Sequence, residues 1–175
     1  MIIYKDIITG DELLSDTFKI IDVGDGLWEV DLKKVTKGGD NFVLEGANPS
    51  AEGEDAEEGG DTENKQQVLD IEDQFRLNKM EGGMDKKAFT SDLKAYIKRL
   101  NNKLKAEPDG ETKSKEFQSG AAAALKKLSA NVADYDIYMG ESMSSEGMYI
   151  LVNFREDGIT PFATIWKHGL KEEKV

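Results

Sequence analysis

Cysteine is absent from the 175 residues. No disulfide, thiolate zinc site or cysteine nucleophile can therefore be built, which suits a reducing compartment. Histidine occurs once, as His168 in WKHGL. Serine- and cysteine-type hydrolases need a base beside the nucleophile, and this lone histidine reads as a turn residue after the last strand. Neither GxxxxGK[ST] nor GxGxxG occurs, and Gly59-Gly60 and Gly82-Gly83 are isolated pairs, so nucleotide hydrolysis has no phosphate loop to use. The EF-hand order of carboxylates is missing as well. The longest apolar runs are only a few residues, as in MYILV at 148–152, against the roughly 20 residues of a membrane-spanning helix. Lys5, Asp6, Asp11 and Glu12 interrupt the stretch where a secretory signal would be apolar. The expectation is a protein with no membrane span, and any export would need a non-classical route.

What is abundant is acid. The formal charge of −12 repels a polyanion, so direct nucleic-acid binding is not expected. A length of 175 residues fits one domain over 1–175. Residues 2–9, IIYKDIIT, read as a strand ending at Gly10, and DELLSD as a helical turn or loop. Residues 18–36 read as a hairpin turning at Gly24, Asp25 and Gly26. From about 45 to 67 the chain has no aromatic residue and few apolar side chains larger than alanine, which predicts a flexible acidic loop. Residues 68–77 read as a strand.

The period then changes. Phe89, Leu93, Tyr96, Ile97, Leu100 and Leu104 lie at helical spacing and predict a helix over 86–105. EPDG at 107–110 ends it, and Thr112 is placed to cap a second helix through Phe117, Ala121, Leu125 and Leu128, giving a helical hairpin over about 86–130. DIYMG, MYILVNF and PFATIW follow as strands, the last two joined at Asp157-Gly158 and PFATIW being read as the final strand. Strands at both ends around a helical hairpin predict an α+β fold.

Charge is segregated along this order. Between 86 and 127 eleven Lys or Arg face five acids, a net of +6, while the rest of the chain carries −18. Lys86, Lys87, Lys94, Lys98, Arg99, Lys103 and Lys105 give the first helix a basic side. An acidic protein surface such as a microtubule lattice would dock there, through Lys94, Lys98, Arg99 and Lys103 above all. Acidic residues at 45–63 and around Asp22 and Asp25 suit weak calcium binding through oxygen ligands, with no site or obligatory cofactor specified.

GANPSAEG at 46–53 and DIYMGESMSSEGMYILVNFREDG at 136–158 resemble the two signature stretches of the translationally controlled tumour protein family. The opening MIIYKDIITGDELLSD and the closing ITPFATIWKHGLKEEKV resemble it too, so the likeness spans the chain. The resemblance implies a β-tent of mixed or antiparallel sheets with a projecting helical hairpin and a long disordered acidic loop. The same fold occurs in nucleotide-free chaperones of small GTPases, some of which hold zinc through cysteines that this chain lacks. It implies a multi-partner, non-enzymatic cytoplasmic protein with microtubule- or organelle-associated pools. Its implied partners are tubulin, translation elongation factors, apoptosis regulators and calcium, its roles growth control and stress protection. It further implies that Glu12, Leu77 and Glu141 lie on a face meeting a small GTPase of the Rheb type, with guanine-nucleotide exchange as the alternative activity. Ser50 sits in the acidic stretch, within reach of a kinase.

Overall fold

The computed structural model describes residues 1–36 and 67–175. The strands are β1 (Ile2–Asp6), β2 (Glu12–Ser15), β3 (Lys19–Gly24), β4 (Leu27–Asp31), β5 (Lys34–Thr36), β6 (Gln67–Leu69), β7 (Asn78–Lys79), β8 (Asp136–Met139), β9 (Ile150–Phe154), β10 (Pro161–Trp166) and β11 (Leu170–Lys174). The helices are α1 (Asp70–Phe75), α2 (Lys86–Lys105) and α3 (Gly110–Ala130). The acidic loop expected at 45–67, with Ser50, lies outside the described residues except for Gln67, which opens β6.

Among the described residues every strand pairing is antiparallel. Three sheets result, in the orders β11-β1-β2, β3-β4-β10-β9-β8-β7 and β5-β6. This is the α+β architecture read from the sequence. The β3–β4 turn runs through Asp25 and Gly26 at φ 57° and 77°, a left-handed geometry that Asp and Gly tolerate.

Four local readings need correction. DELLSD is strand β2, not a helical turn: Leu13 and Leu14 are both fully buried, one on each face, so no alternation marks the strand. Residues 68–77 are strand only to Leu69. The chain then turns into α1, which buries Ile71 and Phe75 four residues apart, and the Glu72 side chain accepts the Leu69 amide at 3.4 Å. The second helix starts at Gly110 with Asp109 before it, the Asp109 carbonyl accepting from the Lys113 amide at 3.0 Å, so Thr112 lies inside the helix. PFATIW is not the last strand, because LKEEK forms β11. Its charged residues carry no strand signal, and pairing with β1 imposes the conformation.

Helix α2 has the bounds its spacing predicts and buries Phe89, Leu93, Tyr96, Leu100 and Leu104. It packs against α3, and the pair docks on β10 through Trp166, whose ring lies 6.0 Å from Tyr96 and 5.9 Å from Phe117. Gly120 of α3 meets the β3–β4 turn so closely that a Cβ there would lie 2.6 Å from Asp25 Cα.

His168 sits in the turn between β10 and β11. Its ring packs edge-on to Phe117 at 5.9 Å, Nε2 lies 3.6 Å from the exposed Glu116, and buried Nδ1 has no hydrogen-bond partner. Burial, helped by Lys167, lowers its pKa, while Glu116 and Asp22 oppose the shift. A base with a lowered folded pKa is stabilising above its unfolded value of about 6.5 and loses that contribution as pH falls. Thermal unfolding is therefore expected to shift downward between about pH 6.5 and 5, and His168→Phe to flatten that segment of the curve. An unchanged slope in the variant would assign the dependence to carboxylates.

Candidate functional site

Two surfaces follow from the charge map, and residues 140–148 join them. The segment is held by side chains from three parts of the chain. Asp11 Oδ2, one residue before β2, accepts from the Ser142 hydroxyl at 2.7 Å and the Ser142 amide at 3.2 Å. Asn78 Nδ2 of β7 donates to the Gly140 carbonyl at 3.1 Å. Arg99 of α2 donates through Nε to the Glu146 carbonyl at 3.2 Å and through Nη2 to the Ser145 carbonyl at 3.5 Å. At the end of the segment the buried Asp6 carboxylate accepts the Met148 amide at 2.8 Å, and its other oxygen accepts the Ile8 amide at 2.8 Å.

These ties place the expected GTPase-facing residues close together. Glu12 opens β2 and is exposed, and Lys5, opposite it in register, pairs instead with Glu173 at 2.5 Å. Glu141 is exposed and pairs with Arg76 at 3.1 Å, Arg76 being set at φ 58° as the residue that closes α1. Leu77, only 5% exposed, belongs to the core, unlike the exposed Glu12 and Glu141. The result is an acidic face, Asp11, Glu12 and Glu141, edged by Arg76, which pairs with Glu141, and Lys5, which lies opposite Glu12.

The basic helix divides. At 100° per residue, Lys87, Lys94, Lys98 and Lys105 fall within about 40° of one another, opposite the buried stripe. Arg99 and Lys103 lie on the flank, and Arg99 is engaged with residues 145 and 146. Lys94, Lys98, Arg99 and Lys103 therefore do not form one patch. The aligned set is Lys87, Lys94, Lys98 and Lys105.

Among the described residues no three His, Asp or Glu side chains gather as a metal site. Asp22, one of the acids read as a weak calcium ligand, accepts the Gly24 amide at 3.0 Å and the Lys167 ammonium at 3.1 Å, which together lower its pKa. No helix among these residues is long and apolar enough to cross a membrane.

Residues 1–171 match the family described as translationally controlled tumour protein. The chain belongs to this family. Homologues of that name from Aspergillus oryzae and Aspergillus fumigatus are 52% and 53% identical, each covering all of both chains. Among solved structures, the translationally controlled tumour-associated protein p23fyp of Schizosaccharomyces pombe is 42% identical over both whole chains, with a TM-score of 0.75. The Caenorhabditis elegans family member is 27% identical, with a TM-score of 0.63 over all of this chain and 99% of that one. The family name describes no reaction.

Within this family member the sequence reading missed Asp6, Asp11, Arg76, Asn78 and Ser142. The glycines were the available signal. A Cβ at Gly140 would lie 2.4 Å from Asp11 Oδ2, and one at Gly147 would lie 2.9 Å from Asp6 Oδ2. Each glycine marks a close approach between the segment and an N-terminal carboxylate.

Proposed function

We propose that the chain works as one non-catalytic domain in the cytoplasm, an adaptor that docks partners on two separate surfaces. The observation that carries this reading is the opposite charge of two faces joined through residues 140–148: Asp11 and Glu141 on one side, Arg99 of α2 on the other. The lysine stripe of α2 suits acidic partners such as the tubulin lattice, and the acidic face suits basic regions of a small GTPase, an elongation factor or an apoptosis regulator. Calcium binding is weak in this reading and non-obligatory, resting on carboxylate density and not on a built site. Growth control and protection under stress follow from the partners held.

A second reading is favoured by the exposure of Glu12 beside Glu141. A carboxylate presented to a Rheb-type GTPase competes for its magnesium ion or phosphate-loop lysine and so loosens the nucleotide. Nucleotide release from the purified GTPase is the deciding measurement. Acceleration by the wild type and at least a tenfold loss in Glu12→Ala supports exchange; no acceleration at high protein concentration leaves the adaptor. The adaptor reading is tested by quantitative pull-down with wild type, Glu12→Ala and a variant with Lys87, Lys94 and Lys98 changed to Glu. Different partner sets lost by the two variants support two surfaces, and identical sets overturn them.

A further inference from the structure

A cleft of about 690 Å³, lined by none of the residues of the two charged surfaces, lies at the end of the six-stranded sheet, in the size range of ligand sites. Its floor is apolar, with Phe18, Leu32 and Pro161. One wall is the β9–β10 turn. Asp157 accepts the amides of Ile159 and Thr160 at 2.7 and 2.8 Å and the Thr160 hydroxyl at 2.8 Å, and the Arg155 amide closes the turn onto the Thr160 carbonyl at 2.8 Å. This bonded turn holds Ile159 at the rim with 76% of its surface in water. A rigid apolar side chain kept exposed beside a cleft contributes nothing to the core and costs little entropy on contact, the properties of an interface anchor.

The polar groups of the cleft are not equivalent. Asp31 receives Arg155 Nε at 3.0 Å and Nη2 at 2.8 Å, while Arg155 also pairs with Glu29 and stacks on Phe162 at 4.0 Å. Asp70 Oδ1 accepts the amides of Lys33 and Ile71 at 3.1 and 2.8 Å. Both carboxylates are thus turned to structure. The ammonium groups are not held in this way: Lys19, 73% exposed, stands 3.9 Å from the already paired Asp31, and the Lys33 side chain is exposed. The cleft therefore carries two exposed ammonium groups around an apolar floor, Lys19 at 3.9 Å from Asp31 and Lys33 within electrostatic reach of Asp70, each beside a carboxylate already bound to other donors. Nucleotide phosphates are poorly served, since the one arginine nearby is committed and no glycine-rich turn lines the cleft.

We propose that this cleft is a third docking site, which takes an extended acidic peptide with carboxylates on either side of an aliphatic side chain. The carboxylates meet Lys19 and Lys33, and the aliphatic group packs between Phe18 and Ile159. The probe is a nine-residue peptide with a central leucine flanked by glutamates, titrated into the isotope-labelled full chain, with a glutamine counterpart as control. Saturable NMR shifts are expected at Thr17, Lys19, Lys33, Gln74 and Thr160. Changing Lys19 and Lys33 together to Glu is expected to weaken binding at least tenfold, Ile159→Ser several-fold, and the glutamine peptide to bind at least tenfold more weakly. All three positions are exposed, so the variants keep their fold, which the unchanged spectrum elsewhere verifies. Shifts confined to α2, equal affinity in the variants, or no shifts at millimolar peptide would each overturn the proposal.

Discussion

Replacing Asp6 with alanine is expected to lower stability by about 3 kcal/mol, seen as a fall of roughly 10 °C in thermal midpoint for a chain of this size. The side chain is 2% exposed, and its two oxygens accept the amides of Ile8 and Met148, each at 2.8 Å, with the Thr9 amide at 3.4 Å. Relief of a buried carboxylate favours the mutant, but amides left without an acceptor cost about 1–3 kcal/mol each, and that term wins. Asp6→Asn keeps one acceptor and turns an amino group toward the Met148 amide, so about half the loss is expected. Amide exchange at residues 147–150 should rise in both variants. If Asp6→Ala unfolds at the wild-type temperature, the carboxylate does not hold residues 140–148 in place.

The second large effect is expected at Gly120. On an isolated helix, alanine for glycine gains about 1 kcal/mol. Here the added methyl meets backbone, lying 2.6 Å from Asp25 Cα, 2.7 Å from its carbonyl carbon and 2.8 Å from its oxygen. Backbone cannot swing aside as a side-chain tip does, and overpacking of this kind costs about 1–3 kcal/mol, so Gly120→Ala is expected to lose up to about 2 kcal/mol net. The packing of Trp166 under the hairpin should loosen with it, measured by tryptophan fluorescence and chemical denaturation. A stabilised variant would mean that the hairpin is free to shift away from the β3–β4 turn.

Where the sequence was legible, the local signal and the tertiary structure agreed. The α2 stripe from Phe89 to Leu104 faces one core, so its period survives intact, and the Asp25-Gly26 turn has the backbone its residues favour. Where the reading failed, contacts from distant residues set the conformation. Leu13 and Leu14 are covered on both faces, LKEEK becomes a strand only beside β1, and α1 is too short to show a period. The acidic face was legible through the family likeness at Glu12 and Glu141. The ties that position it, Asp11 to Ser142 and Arg76 to Glu141, join residues far apart in sequence that no spacing rule connects. Arg99 was legible as a charge and not as a bonded one, since only the fold brings residues 145 and 146 beneath it.

The pairing of β1 with β11 sets an order of events. Ile2 lies opposite Lys174, and the Val175 amide donates to the Met1 carbonyl at 2.9 Å. On a ribosome, β1 emerges long before its outer partner β11, so the sheet that carries Glu12 keeps one edge open until β11 has been made. Contacts of such separation are slow to form because loop closure precedes any reward. The helical hairpin makes its α2–α3 contacts between neighbours in sequence, and only its seat on Trp166 of β10 waits. The α2–α3 pair is thus set by contacts local in sequence, while the sheet that carries Glu12 is complete only when β11 has been made.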